Sequence, residues 1–220
     1  MNRRPDPNSP TRIHEVHEQV LAYWNNPEGL WRIQVGARVV ARIFEDPAPL
    51  SRAEINELCA DLLQPGQDAV DRLARTGFHL EHDARGDVIG MAFSPTPGSG
   101  GTYVTDLSER RLYAWCAEDT MLFSIVMGRR TDVIAVCPVT RQIITATVDP
   151  VKGLENLVPA TAQMTLAPIH GNDLRTEFCD RVSFTADEGA ARQLAGNDPE
   201  VVYMSAQEGF AVAKSLADMF

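Results

Sequence analysis

Cys116 and Asp119 stand three residues apart in the stretch Arg111-Leu112-Tyr113-Ala114-Trp115-Cys116-Ala117-Glu118-Asp119-Thr120. The pattern predicts one helix from Arg111 to about Met127, closed by Gly128. On that helix Leu112, Cys116, Asp119, Phe123 and Met127 follow one another at intervals of 4, 3, 4 and 4 residues, which forms a single apolar stripe. Asp119 would then share a buried face with a thiol one turn away. An ionised carboxylate left unpaired in such a place is costly, so the group must be neutral, paired or in use. The competing interpretation is a cysteine acting as small apolar filler, the ordinary fate of a buried free thiol.

Several elements must position this pair. Ile13–Trp24 and Gly29–Phe44 read as helices. Ser51-Arg52-Ala53-Glu54 is a capping box that opens a third helix containing Cys59, and Gln67–Thr76 makes a fourth, ended by Gly77. His79–Phe93 follows as two strands around a polar turn at Arg85-Gly86. Helix, turn, helix and hairpin is the order of a winged helix-turn-helix. The fourth helix carries Asp68, Asp71, Arg72 and Arg75, without net positive charge, so the unit reads as a structural or dimerising module.

Ser94-Pro95-Thr96-Pro97-Gly98-Ser99-Gly100-Gly101 reads as a linker. The division is therefore a disordered polar arm over 1–12, a winged-helix-like domain over 13–93, a linker over 94–101 and an α+β domain over 102–220 with a small, largely antiparallel sheet. In that last part strands are expected at Thr102–Thr105, Thr131–Cys137, Ile143–Val148, Gln163–Ala167, Val182–Phe184 and Val201–Met204, with 149–161 irregular. A short helix is expected over Asn172–Phe178. Thr185-Ala186-Asp187-Glu188 and Ser205-Ala206-Gln207-Glu208 read as two further capping boxes, the second opening a final helix to about Met219.

The 220 residues carry a formal charge of -10, which argues against nucleic acid as the main partner. No apolar run approaches a membrane span and the first residues lack a secretion signal, so a cytoplasmic protein is expected. Cys59, Cys116, Cys137 and Cys179 are widely spaced, which fits neither a disulfide framework nor a zinc ribbon. His14 and His17 share a helix turn but lack a third ligand, so they read as a solvated face. The GxSxG, GxxxxGK[ST], HExxH and GxGxxG motifs are absent. His170 beside Gly171 leaves open a cysteine hydrolase with Cys116 or Cys179 as nucleophile.

The ten-residue stretch resembles the active-site segment of organomercurial (alkylmercury) lyases. The likeness continues with Cys137 about 20 residues on and with Phe178-Cys179 about 40 residues beyond that. It extends over roughly 35–220 and is closest over 103–185. The resemblance implies that Cys116 and Cys179 are thiolate ligands of the substrate's mercury and that Asp119 takes their protons and gives one to carbon. It makes Cys137 structural. No resident cofactor is implied, only an exogenous low-molecular-weight thiol for product release, and a mercuric reductase is the implied acceptor of Hg(II). Soft thiolates suit mercury, and each must be deprotonated to bind it. One departure stands out: where the family often has a second Cys after Phe-Cys and a His-containing strand beyond, this chain has Asp180-Arg181-Val182-Ser183-Phe184.

The leading expectation is a lyase that Cys116→Ala, Cys179→Ala or Asp119→Ala each abolishes and Cys59→Ala spares. The alternatives are a protein that only holds mercury or another thiophilic ion, including a metal-responsive winged-helix regulator, and a scaffold that runs a different reaction on another organometal or small molecule.

Overall fold

The computed structural model describes residues 6–97, 102–105, 110–171 and 173–220. Its helices are α1 (Pro10–Trp24), α2 (Pro27–Glu45), α3 (Arg52–Leu58), α4 (Ala69–Arg75), α5 (Ala117–Val126), α6 (Leu174–Glu177), α7 (Glu188–Asn197) and α8 (Ala206–Ala217). The strands are β1 (Glu81–His82), β2 (Val88–Gly90), β3 (Phe93–Ser94), β4 (Tyr103–Thr105), β5 (Arg111–Ala114), β6 (Thr131–Val136), β7 (Ile143–Asp149), β8 (Gly153–Val158), β9 (Gln163–Leu166), β10 (Phe184–Thr185) and β11 (Val202–Ser205). The class is α+β, with small antiparallel sheets. A six-stranded sheet runs β3-β5-β4-β6-β7-β8, a three-stranded one β10-β9-β11, and β1 and β2 form a hairpin.

The local signals for α1 to α4 reappear in this arrangement. Ser51 and Glu54 close their capping box reciprocally, and Gly77 takes the left-handed conformation that ends α4. Cys59 caps α3 from outside rather than lying within it. The expected arm over 1–12 differs: α1 already starts at Pro10 with Ser9 as its cap, and the Pro7 carbonyl accepts the Tyr203 N–H at 3.2 Å. The expected disorder of 1–5 lies outside the described residues, as do 98–101 of the expected linker. Ser94, assigned to that linker, sits instead in β3 and pairs with Tyr113 of β5.

The hydrogen-bonded sheet therefore begins on the N-terminal side of the Pro/Gly-rich segment. The core is continuous there too. Phe44 of α2 meets Phe93 of β3 edge-on at 5.1 Å between ring centroids, and Phe93 meets Phe123 of α5 at 5.9 Å. Buried aromatic rings of this kind contribute about 1.5–3 kcal/mol each, so α2, β3 and α5 hold one another in place.

Two expectations in the second half are corrected. Residues 149–161 are not irregular throughout, since β8 pairs along β7 from Asp149↔Gly153 to Thr145↔Val158. Thr185 lies in β10, and Asp187 is the cap of α7, its side chain accepting the Ala190 N–H. The Ser205-Glu208 box opens α8 as expected. No helix among the described residues is long and apolar enough to cross a membrane.

Candidate active site

The stretch expected as one helix is a strand, a corner and a helix. Arg111–Ala114 is β5, between β3 and β4, and alternates exposed and buried as a strand does. Leu112 therefore shares the core with Cys116 but not a helical stripe. Trp115 leaves the strand with its N–H on the Ala92 carbonyl at 2.8 Å. Cys116 then caps α5, which ends at Gly128 in the left-handed region, as the sequence foretold.

Cys116 does the work of a capping serine. Its Sγ accepts the Asp119 N–H at 3.4 Å, and the Asp119 carboxyl reaches back to the Cys116 N–H at 3.2 Å. This is a capping box written in Cys and Asp. The exchange leaves the Cys116 thiol 3.1 Å from Asp119 Oδ2.

Cys179 arrives from a separate segment. It opens a single three-ten turn, Cys179–Arg181, directly after α6 and Phe178. The turn is tied to α5 by the Ala117 N–H on the Val182 carbonyl at 3.1 Å. The Thr165 hydroxyl of β9 fixes it from beneath, donating to the Arg181 carbonyl at 2.9 Å and accepting the Ser183 N–H at 2.8 Å. The Cys179 thiol lies 3.8 Å from the same Asp119 Oδ2. Ligand atoms of Cys116, Asp119 and Cys179 all fall within 4.8 Å of one another, and all three residues are buried.

Burial sets the electrostatics. It lifts the Asp119 carboxyl to about 7, against the hydrogen bonds from Cys116 and the field of Arg175. Burial, then the hydrogen bond from Cys179 and the nearby carboxyls, pushes the Cys116 thiol well above its ordinary range. At Cys179 the hydrogen bond with Cys116 pulls downward, but burial and Asp119 outweigh it and the thiol rises. Both sulfurs are thus held as thiols beside a carboxyl poised to exchange protons near neutrality.

Two neighbours went unread in the sequence. Glu118 is only 2% exposed, its Oε1 lacks a hydrogen-bond partner, and burial followed by Asp119 raises it well above the carboxylate range. Arg175 lies over the Trp115 ring at 4.6 Å from its centroid and gives its Nε–H to Asp180 Oδ1 at 3.3 Å. Trp115, Glu118, Asp119, Arg175, Phe178 and Cys179 share the wall of a small, mainly apolar cavity of about 40 Å³. Glu118 sits beside Asp119 in sequence and signals itself only as a second acid in an apolar helix. Nothing local announced Arg175.

The remaining candidates stand apart. His170 pairs through Nε2 with Glu200 Oε1 at 3.0 Å and is exposed, away from the thiol cluster. His17 hydrogen-bonds Ser215 at 2.7 Å. Cys59 and Cys137 are buried free thiols outside the cluster.

Comparison with known proteins agrees with this geometry. The family model for alkylmercury lyase (MerB) matches residues 97–218, more than half of the chain. The alkylmercury lyase of Pseudomonas putida is 31% identical over 139 residues, 62% of this chain and 63% of that protein, so the match spans less than two-thirds of the relative. That of Staphylococcus epidermidis is 26% identical over 174 residues, 78% of this chain and 75% of the relative. The crystal structure of the mercury-bound form of MerB2 shares the fold, with a TM-score of 0.66 at 17% identity, covering 94% of this chain and 99% of that one. Strand-corner-helix, paired thiols and shared carboxyl thus coincide with the sequence match: the chain belongs to the alkylmercury lyase family.

Proposed function

We propose that the protein is an organomercurial lyase that cleaves carbon–mercury bonds by protonolysis, with Cys116 and Cys179 as mercury ligands and Asp119 as proton carrier. The observation that carries this is one carboxylate oxygen, Asp119 Oδ2, within reach of both thiols. One cysteine displaces the substrate's thiolate ligand, which leaves with that cysteine's proton. The second thiol passes its proton through Asp119 to the carbon as its sulfur binds mercury. The carbon–mercury bond breaks, the hydrocarbon departs, and Hg(II) remains between two sulfurs. A carboxyl titrating near 7 suits this exchange, being able to hold and release a proton at the same pH.

No step calls on a resident cofactor. A small exogenous thiol would remove Hg(II), and a mercuric reductase in a reducing cytoplasm would be a fitting acceptor. Residues 13–93 fit a winged-helix-like unit in the order α3, α4 and the β1–β2 hairpin, used to support residues 102–220 rather than to bind DNA.

The test is phenylmercury with excess thiol, read as benzene by gas chromatography, beside Asp119→Ala. The expected result is benzene from the wild type and a loss of about 10²–10⁴-fold in the variant. Tight mercury binding without benzene would make the cluster a sink and end the lyase reading.

A further inference from the structure

A second cavity, of about 210 Å³, has both Cys116 and Cys179 in its wall but not Asp119. Beside the two thiols, its polar side chains come from Thr102, Arg141, Asp180 and Ser183. Cys179 and Trp115 line both this wider polar chamber and the small one that holds Asp119, while Cys116 lines the wider one alone. At well under the roughly 300 Å³ of ordinary ligand pockets, the wider one suits something the size of an amino acid.

Arg141 is the unusual wall residue. It is exposed, and its guanidinium makes no ion pair or hydrogen bond among the described residues. Nearby cations are already engaged, Arg175 with Asp180 and Arg181 with Asp198 and Glu200. Its backbone adds a second signal. In the turn closed by Cys137 N–H on the Gln142 carbonyl and Arg141 N–H on the Cys137 carbonyl, Arg141 has φ 61, a left-handed conformation that glycine or asparagine adopts far more readily. An arginine held there against backbone preference, unpaired and in one cavity wall with two sulfurs, has the form of an anion-recognising group.

We infer that this cavity receives the small thiol that takes mercury from Cys116 and Cys179, and that it selects thiols bearing a carboxylate, which Arg141 binds. The inference rests on the lyase reading for its purpose, not for its test. In the exchange, each incoming thiol forms one mercury–sulfur bond as one bond to a protein sulfur breaks. Its proton passes to the departing cysteine, so two thiols leave as Hg(SR)₂ and both cysteines return as thiols. Mercury stays Hg(II) throughout.

The test loads the full chain with one equivalent of Hg(II) and follows mercury removal by cysteine and by cysteamine, which keeps the thiol and ammonium and lacks only the carboxylate. Cysteine should act at least about tenfold faster at equal subsaturating concentration. Arg141→Gln should bring the ratio near one, and so should Arg141→Gly, which favours the turn's own conformation. A ratio near one in the wild type, or a preference surviving in either variant, overturns the thiol site. Benzene release by the wild type in a single turnover is measured alongside. Its absence removes the lyase reading while the exchange ratio still judges the thiol site.

Discussion

Cys116 and Cys137 begin from nearly the same local arrangement. Each is buried, and each Sγ accepts a backbone N–H from three residues ahead at 3.4 Å, Asp119 in one case and Thr140 in the other. Their chemistry diverges because their other neighbours differ. At Cys137 burial pushes upward, but the Thr140 side chain and the N–H groups of Thr140, Ala186 and Val139 outweigh it and the thiol is lowered. At Cys116 burial dominates and the added neighbours are a second thiol and carboxyls, so the thiol is raised. The comparison teaches that the more acidic thiol is not the one placed beside a carboxyl and a second sulfur. A thiol kept protonated beside a carboxyl and a second sulfur carries a proton to deliver, while the donors around Cys137 favour its charged form.

The largest test of that contrast is to remove the sulfurs in turn. Under the proposed mechanism Cys116→Ala and Cys179→Ala should each lower hydrocarbon release by about a thousandfold or more, since each would remove a mercury ligand that the other cannot replace. Cys137→Ala should leave the rate within about threefold. It should cost about 1–3 kcal/mol in urea unfolding, because the Thr140 N–H loses its acceptor. A cleavage defect in Cys137→Ala comparable to that of Cys116→Ala would erase the distinction.

A pH series sharpens it next. Asp119 rises from an ordinary 3.8 to about 7 on folding. Between those values the unfolded chain has released the proton and the folded protein still holds it, so stability falls as pH rises through that window. About three pKa units at 1.36 kcal/mol each make roughly 4 kcal/mol from this group, an order-of-magnitude figure. Urea midpoints at pH 5 and pH 8 should therefore differ markedly in the wild type and less in Asp119→Asn; equal slopes would contradict the buried, raised carboxyl.

The smallest expected effect is at Glu118. Replacing it by leucine removes a buried carboxyl whose Oε1 has no partner, and should raise stability by about 1–3 kcal/mol in the same assay. A destabilised Glu118→Leu would mean that the carboxyl has a stabilising partner in the wall of the small chamber.

Much of this site was legible before the fold was known, though by two different routes. Periodicity joined Cys116 to Asp119 and put them on a buried face, which the structure bears out. It did so through a helix begun six residues too early. Leu112 matched the four-residue interval by coincidence, and the strand Arg111–Ala114 was too short for its alternation to outvote the helical spacing. Cysteine is also outside the usual set of capping residues, so the true helix start was invisible to capping rules. The capping boxes at Ser51 and Ser205 were read correctly for the complementary reason. That Cys179 belongs with the pair rested on resemblance alone, because 60 residues of chain separate it from Asp119 and no local rule spans them. Arg175 and Glu118 were missed since their roles depend on burial and on neighbours brought by the fold.

The capping box at Cys116 ties the reaction centre to the scaffold in a way that can be listened to. The same sulfur that would take mercury is the acceptor for the Asp119 amide, and the same carboxyl answers the Cys116 amide. A metal ion drawing electron density from that sulfur weakens the first contact, and a proton leaving the carboxyl strengthens the second. The backbone amides of Cys116 and Asp119 are therefore built-in reporters, whose NMR shifts and hydrogen-exchange rates should move in opposite senses as the site is loaded and turned over, without any label introduced near the chemistry.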